Sequence, residues 1–167
     1  MTEPNQKQVF TELLESYKGL LYKIARSYTN TPDDCQDLVQ EITIALWRSF
    51  DKYDRQYQYS TWIYRIALNV SISHLRKENR RIHPSAALDE ELLLVPTDQL
   101  TDTTEIDFLY KLIGELNELD KAIILLYLDE KPYREMASIL GLSETNIATK
   151  LNRIKEKWRL QLNAKNT

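Results

Sequence analysis

The sequence is poor in the residues from which most enzyme sites and extracellular frameworks are built. It holds one cysteine, two histidines, three glycines and five prolines in 167 residues. A single thiol, Cys35, excludes a disulfide framework and any cysteine-based metal site. It falls on an apolar helical face, where a packed, reduced thiol is expected. His74 and His83 are the only histidines, no glycine-rich phosphate loop occurs, and no nucleophile constellation forms. Catalysis, a metal, a cofactor and a small-molecule substrate are therefore not expected. The longest apolar run, residues 122–128, is far shorter than the roughly 20 residues needed to span a bilayer. The polar N-terminus lacks a signal-peptide core. A soluble, cytoplasmic protein without membrane insertion is expected.

Basic residues are missing from one stretch altogether. Between Ile82 and Leu109 there is no Lys or Arg, while Asp89, Glu90, Glu91, Asp98, Asp102, Glu105 and Asp107 are acidic. The net charge of −3 comes from 25 acids against 22 Lys and Arg. Without those seven acids the rest of the chain is net basic, so the distribution matters more than the sum. Residues 82–104 also carry Pro84 and Pro96 and lack sustained periodicity apart from a short run at 92–95. So long a connector is unusual inside a compact domain. The pattern predicts an all-α chain of two small helical domains, 1–81 and 105–167, joined by a flexible acidic linker, 82–104.

Apolar residues at helical spacing place the elements. A first helix over residues 9–28 presents Phe10, Leu13, Leu14, Tyr17, Leu21, Ile24 and Tyr28 on one face. Thr31, Pro32, Asp33 and Asp34 make a strong helix start: an N-cap, a proline at the first position and carboxylates at the positive dipole end. That second helix buries Cys35, Leu38, Val39, Ile42, Leu46 and Phe50. A third starts at Ser60 as N-cap, with Ile63, Ile66, Ala67 and Val70 as its inner stripe. In the second block, Phe108, Leu109, Leu112, Ile113 and Leu116 form one helix, and the run to Leu128 another, almost wholly buried. Pro132 opens a short helix to Leu140, Gly141 breaks it, and Ser143 caps a final helix with Ile147, Leu151, Ile154 and Trp158 inward.

Three outward-facing groups are not what core packing asks for. On the third helix Arg65, Asn69 and Arg76 fall within roughly 40° of one another at about 100° per residue. The helix runs out into Lys77, Arg80 and Arg81, and an aromatic loop precedes it, with Tyr53, Arg55, Tyr57 and Tyr59 interleaved with amides. Rings, amides and guanidinium groups on one surface suit single-stranded nucleic acid. The last two helices around Gly141 form a helix-turn-helix. Ser143, Glu144, Thr145, Ala148, Thr149, Asn152 and Arg153 lie at its start and on its outer face, where base edges and phosphates are met. Lys150, Lys155, Lys157 and Arg159 add a cationic rim. On the second helix Asp37, Gln40, Glu41, Ile44 and Arg48 share an outer stripe, an apolar anchor inside a polar rim.

Taken together, these residues resemble bacterial RNA polymerase sigma factors of the small extracytoplasmic-function (ECF) group, which keeps only regions 2 and 4. Residues 33–41 (DDCQDLVQE) are similar to the region 2 core-binding helix. Residues 60–69 (STWIYRIALN), followed by Leu75 and Arg76, are similar to the promoter-melting helix. Residues 125–128 (LLYL) and 132–143 (PYREMASILGLS) are similar to region 4. The resemblance implies that Asp37, Gln40, Glu41, Ile44 and Arg48 dock on the clamp of the polymerase β′ subunit. It implies that residues 53–59 capture a flipped base of the −10 element, with Trp62, Arg65, Asn69 and Arg76 nearby and Trp62 seating the loop. It further implies that the helix from Ser143 enters the major groove at the −35 element, while the connector runs through the polymerase channels. Core polymerase (β′ clamp and β subunit), promoter DNA and an anti-sigma factor are the implied partners, and the polymerase brings the metal ions and the chemistry. His74 reads as a polar residue on the DNA-side helix rather than a ligand.

Two departures stand out. Many relatives start the recognition helix Gly-Thr-Val-Lys/Arg-Ser-Arg, whereas this chain has Ala148 at the usual basic position. The base-capture loop is tyrosine-rich where relatives carry small residues. The rival from the residues alone is a stand-alone helix-turn-helix regulator with an N-terminal bundle for dimerisation or sensing. A structural or adaptor protein is the other, and the uncompensated cations at Arg80, Arg81 and the C-terminus weigh against it.

Overall fold

A computed structural model describes residues 3–82 and 105–166, which form helices and their connecting turns, with no strand among the described residues. They fall into two units, within residues 1–84 and 85–167. Apart from Ile82, the expected acidic connector lies outside the described residues.

In the first unit, α1 (Glu3–Ser27), α2 (Pro32–Ser49), a 3₁₀ turn (Phe50–Lys52) and α3 (Tyr59–Ile82) pack around one core. Helix α1 begins well before the expected residue 9. Phe10, Leu13, Leu21 and Ile24 are buried on it and Tyr28 just after it, with Leu14 and Tyr17 half-buried at the flanks. Helix α2 starts as its sequence predicts: Thr31 Oγ1 accepts from the Asp34 amide at 3.1 Å, and Pro32 stands at the first position. Leu38, Ile42, Leu46 and Phe50 are buried, while Val39 and Cys35 are half-buried. Burial pushes the Cys35 thiol up, so it stays protonated.

Helix α3 departs from expectation at its start and along its inner face. It begins at Tyr59, and the Gln58 carbonyl accepts the first amide bond, from Trp62 at 3.2 Å. Ser60 therefore lies in the first turn and is not the cap. Ile63 and Ala67 are buried as expected, but Ile66 and Val70 are only half-buried. The core arc is turned toward Thr61, Tyr64, Leu68 and Ser71, all buried. The reason is that α3 packs against both α1 and α2, so it buries an arc wider than one apolar stripe.

In the second unit, α4 (Glu105–Gly114), α5 (Glu118–Leu128), α6 (Tyr133–Leu140) and α7 (Glu144–Lys165) surround a core centred on α5. Every residue from 121 to 126 is buried, because α5 packs on α4, α6 and α7. Asn117 Oδ1 caps α5 through the Asp120 amide at 2.9 Å. Around α5 stand Leu112, Ile113, Leu116, Met136, Ile139, Ile147, Leu151 and Ile154, all buried. Gly141 sits at φ 68°, the left-handed position that ends α6, and the Leu142 amide reaches back to the Ala137 carbonyl at 3.1 Å. Glu130 takes a left-handed φ of 58° after α5, at a cost of about 1–2 kcal/mol for a non-glycine. The far end of α7 is tied to α4 and the turn after it: the Lys165 ammonium lies 4.1 Å over the Phe108 ring, and Gln161 Nε2 donates to Glu115 at 3.0 Å. Among the described residues no helix is long and apolar enough to cross a membrane.

Candidate nucleic-acid and protein interfaces

The loop between α2 and α3 is built by its own aromatic residues. Tyr53 and Tyr59 stack at 4.6 Å with planes 18° apart, Tyr53 meets Trp62 at 5.2 Å, and Trp62 meets Phe50 at 6.1 Å. The Tyr53 hydroxyl donates to the Tyr57 carbonyl. Desolvation and neighbouring groups push that phenol up, which keeps the proton on it. Asp54 closes the turn, accepting from the Gln56 amide at 3.0 Å through its carboxylate and from the Tyr57 amide at 3.2 Å through its carbonyl. Two of the expected tyrosines are thus partly occupied with each other and with Trp62. Tyr57 is exposed, with the Arg65 guanidinium 5.3 Å over its ring.

Beyond the loop, Asn69, Arg76, Lys77, Arg80 and Arg81 are exposed, Arg65 is half-buried, and Arg55 is exposed at the loop tip. Trp62, Arg65, Asn69 and Arg76 share one side of α3 by spacing. His74 does not. It faces α2, with Nδ1 3.6 Å from Glu41 Oε2. Position 74 falls about 120° or more around the helix from that stripe.

On α2 the structure leaves Asp37, Gln40, Glu41, Ile44 and Arg48 all exposed, Ile44 at 45%. Trp47, which periodicity did not single out, is 43% exposed beside them. Its ring is held by Phe10 at 5.0 Å and Phe50 at 6.5 Å. Aromatic content at three residues from Ile44 was the available signal.

In the second unit α6, the Gly141 turn and α7 form the expected helix-turn-helix. Ser143 Oγ accepts from the Asn146 amide at 3.0 Å, and Thr149 Oγ1 donates to the Thr145 carbonyl at 3.0 Å. Ser143, Glu144, Thr145, Thr149, Asn152 and Arg153 are exposed, while Ala148 and Lys150 are half-buried. The expected cationic rim is thinner than charge counting implies. Lys155 lies 4.3 Å over the Tyr127 ring, whose hydroxyl holds its ammonium pKa up. Arg159 is paired with Glu156 at 2.6 and 3.1 Å. Lys157 remains exposed. Asn146 and Arg134, not among the expected contacts, are exposed on the same motif. No group of His, Cys, Asp and Glu able to hold a metal occurs among the described residues.

An aromatic, basic helical surface on one unit and a helix-turn-helix on the other define a DNA-binding transcription protein. Residues 13–81 match the family model Sigma-70 region 2, and residues 109–157 match Sigma-70, region 4. The chain belongs to the sigma-70 family of RNA polymerase sigma factors, in its ECF group. It is 25% identical to the ECF RNA polymerase sigma factor SigW of Bacillus subtilis over 93% of this chain and 90% of that protein. Its fold is similar to the sigma factor RpoE co-crystallised with the anti-sigma factor NepR from Bartonella quintana. There the TM-score is 0.75 at 19% identity, covering 93% of this chain and 98% of that one. It is also similar to CnrH in complex with the cytosolic domain of CnrY, at a TM-score of 0.68 and 23% identity, covering 95% and 90%.

Proposed function

We propose a division of the sigma-factor task along the chain. Residues 1–81 bind core polymerase and recognise and melt the −10 element, residues 105–167 bind the −35 element, and the acidic stretch 82–104 links them. The observation that carries this is the order of the two family matches on one chain, region 2 then region 4. The exposed stripe of Asp37, Gln40, Glu41, Ile44 and Arg48 supports docking on the β′ clamp, and it has no task in a stand-alone regulator. Region 4 docks on the β subunit. The protein acts in the cytoplasm as a non-enzymatic subunit, since the polymerase supplies the chemistry. An anti-sigma partner is supported by the similar sigma factor RpoE, solved with the anti-sigma factor NepR.

Mechanistically, extruding a base from the −10 duplex costs a few kcal/mol of unstacking. Stacking on an aromatic surface returns about 1–3 kcal/mol per base, and exposed Tyr57 beside Arg65 offers such a surface. The Tyr53, Tyr59 and Trp62 stack holds the loop in place beneath it. Asn69, Arg76, Lys77, Arg80 and Arg81 carry the strand away along α3 by amide and phosphate contacts.

Run-off transcription on genomic DNA of the source organism, with its own core polymerase and with or without this chain, tests the reading. New 5′ ends that share two spaced upstream elements are expected. Duplex binding by the chain alone, without new starts, would move the assignment to a stand-alone regulator. Within this scheme Asn69→Ala is expected to leave the melting temperature and closed-complex affinity unchanged, because the side chain is exposed. It slows opening several-fold, read with a base-unstacking fluorophore in the −10 element; normal opening removes Asn69 from the mechanism.

A further inference from the structure

The structure redistributes the hydrogen-bonding capacity of the recognition helix. Ile147, Leu151 and Ile154 are buried and set the inner side of α7. At about 100° per residue Thr149 lies opposite them. Thr145 and Asn152 flank it within roughly 60° on one side, and Arg153 and Asn146 within roughly 60° on the other. Ala148 and Lys150 stand about 100° from the outward direction, in agreement with their half-burial. Asn146 thus belongs to the outer face as fully as Asn152 does.

The groups beside it are less able to read a base. The Ser143 hydroxyl is the N-cap acceptor, and the Thr149 hydroxyl donates its proton to the Thr145 carbonyl. Ala148 has no polar side-chain atom. The Asn146 side chain, by contrast, is exposed and its amide makes no hydrogen bond among the described residues, while its backbone N–H serves the cap. It also stands in the first turn of α7, the end of a recognition helix whose residues meet base edges. A side-chain amide presents one acceptor and two donors, the complement of the N6 donor and N7 acceptor that adenine shows in the major groove. Arg153, on the same flank two turns on, complements the two acceptors of guanine instead.

We propose that Asn146 is a specificity-determining residue of this sigma factor, reading an adenine in the −35 element through paired hydrogen bonds from its side-chain amide. The proposal rests on the reading of α7 as the −35 helix. It also locates direct readout that Ala148, lacking a polar group, does not supply.

The test uses holoenzyme assembled from the full chain and core polymerase, with a promoter library randomised across the −35 element. Wild type, Asn146→Ala and Asn146→Thr are compared, with melting temperature as the check on folding. The expected result is that one position loses its adenine preference by about tenfold in both variants while the others keep theirs. Unchanged preferences, or weakening that is equal across all sequences as for a phosphate contact, overturn the role of Asn146 while leaving −35 binding standing. A wild-type holoenzyme with no −35 preference at all overturns the reading of α7 and this assignment with it.

Discussion

Replacing Gln40 and Ile44 together with glutamate is expected to abolish binding to core polymerase while leaving the protein folded. Both side chains are exposed, Ile44 at 45%, and surface substitutions of this kind change stability by about 0.5 kcal/mol or less. The inner side of the same helix, Leu38, Ile42 and Leu46, is left intact. At an interface the arithmetic is different. A desolvated apolar anchor at the centre of a polar rim is worth about 2–4 kcal/mol when removed, and a carboxylate in its place must also be buried without a partner. Two new acids beside Asp37 and Glu41 cost the helix itself only a few tenths of a kcal/mol for each like-charge pair, which leaves the fold standing. A loss of three or more powers of ten in affinity follows, at about 1.4 kcal/mol for each. Fluorescence anisotropy with labelled protein and core polymerase measures it, with thermal unfolding alongside. Unchanged affinity would refute the docking face. Trp47 is the wrong residue for this experiment: although 43% exposed, its ring packs on Phe10 and Phe50, so truncation would disturb the core as well.

What the sequence made legible was local. Thr31, Ser143 and Gly141 mark helix ends through bonds between near neighbours in the chain, and each marks an end in the structure. The outward stripe on α2 was legible for the same reason, since spacing alone sets which residues share a face. What was hidden depends on partners distant in the chain or on the width of a buried arc. Ile66 and Val70 are apolar and correctly spaced, yet two packing neighbours turn the core toward Tyr64 and Ser71. The loop tyrosines looked equivalent, and only the folded loop separates the stacked pair Tyr53 and Tyr59 from exposed Tyr57. Lys155 and Arg159 counted as free cations until the structure placed them on Tyr127 and Glu156. The contact of His74 with Glu41 was hidden because the two lie on different helices.

Lys121 was the most deeply hidden, and the second large effect is expected there: Lys121→Met stabilises the second unit by about 2 kcal/mol at neutral pH. The residue is 5% exposed at the start of α5, among Ala122, Ile123, Ile124 and Leu125. Its ammonium donates to the Gly114 carbonyl at the end of α4, 3.2 Å away, which fixes the turn between the two helices. Burial pushes its pKa down from 10.5 to about 8. A shift of that size corresponds to about 3 kcal/mol against the charged form in the fold. Methionine fills similar volume without a charge, and the groups left behind, the Gly114 carbonyl among them, cost about 1 kcal/mol, hence the net gain. The sign of the pH dependence follows from where the proton resides. Between about pH 8 and 10.5 the unfolded chain keeps the proton that the folded protein has released, so stability rises with pH through this window. Below it the folded state carries the full penalty, so the advantage of Lys121→Met is largest at neutral pH and shrinks as the pH approaches 10. Urea unfolding from pH 6.5 to 9.5, followed at the indole N–H of Trp158, reads the second unit alone, because Trp47 and Trp62 belong to the first. Parallel stability profiles for the two proteins across that range would show that the Lys121 proton is held equally in both states, and that its bond to Gly114 offsets the whole cost of burial.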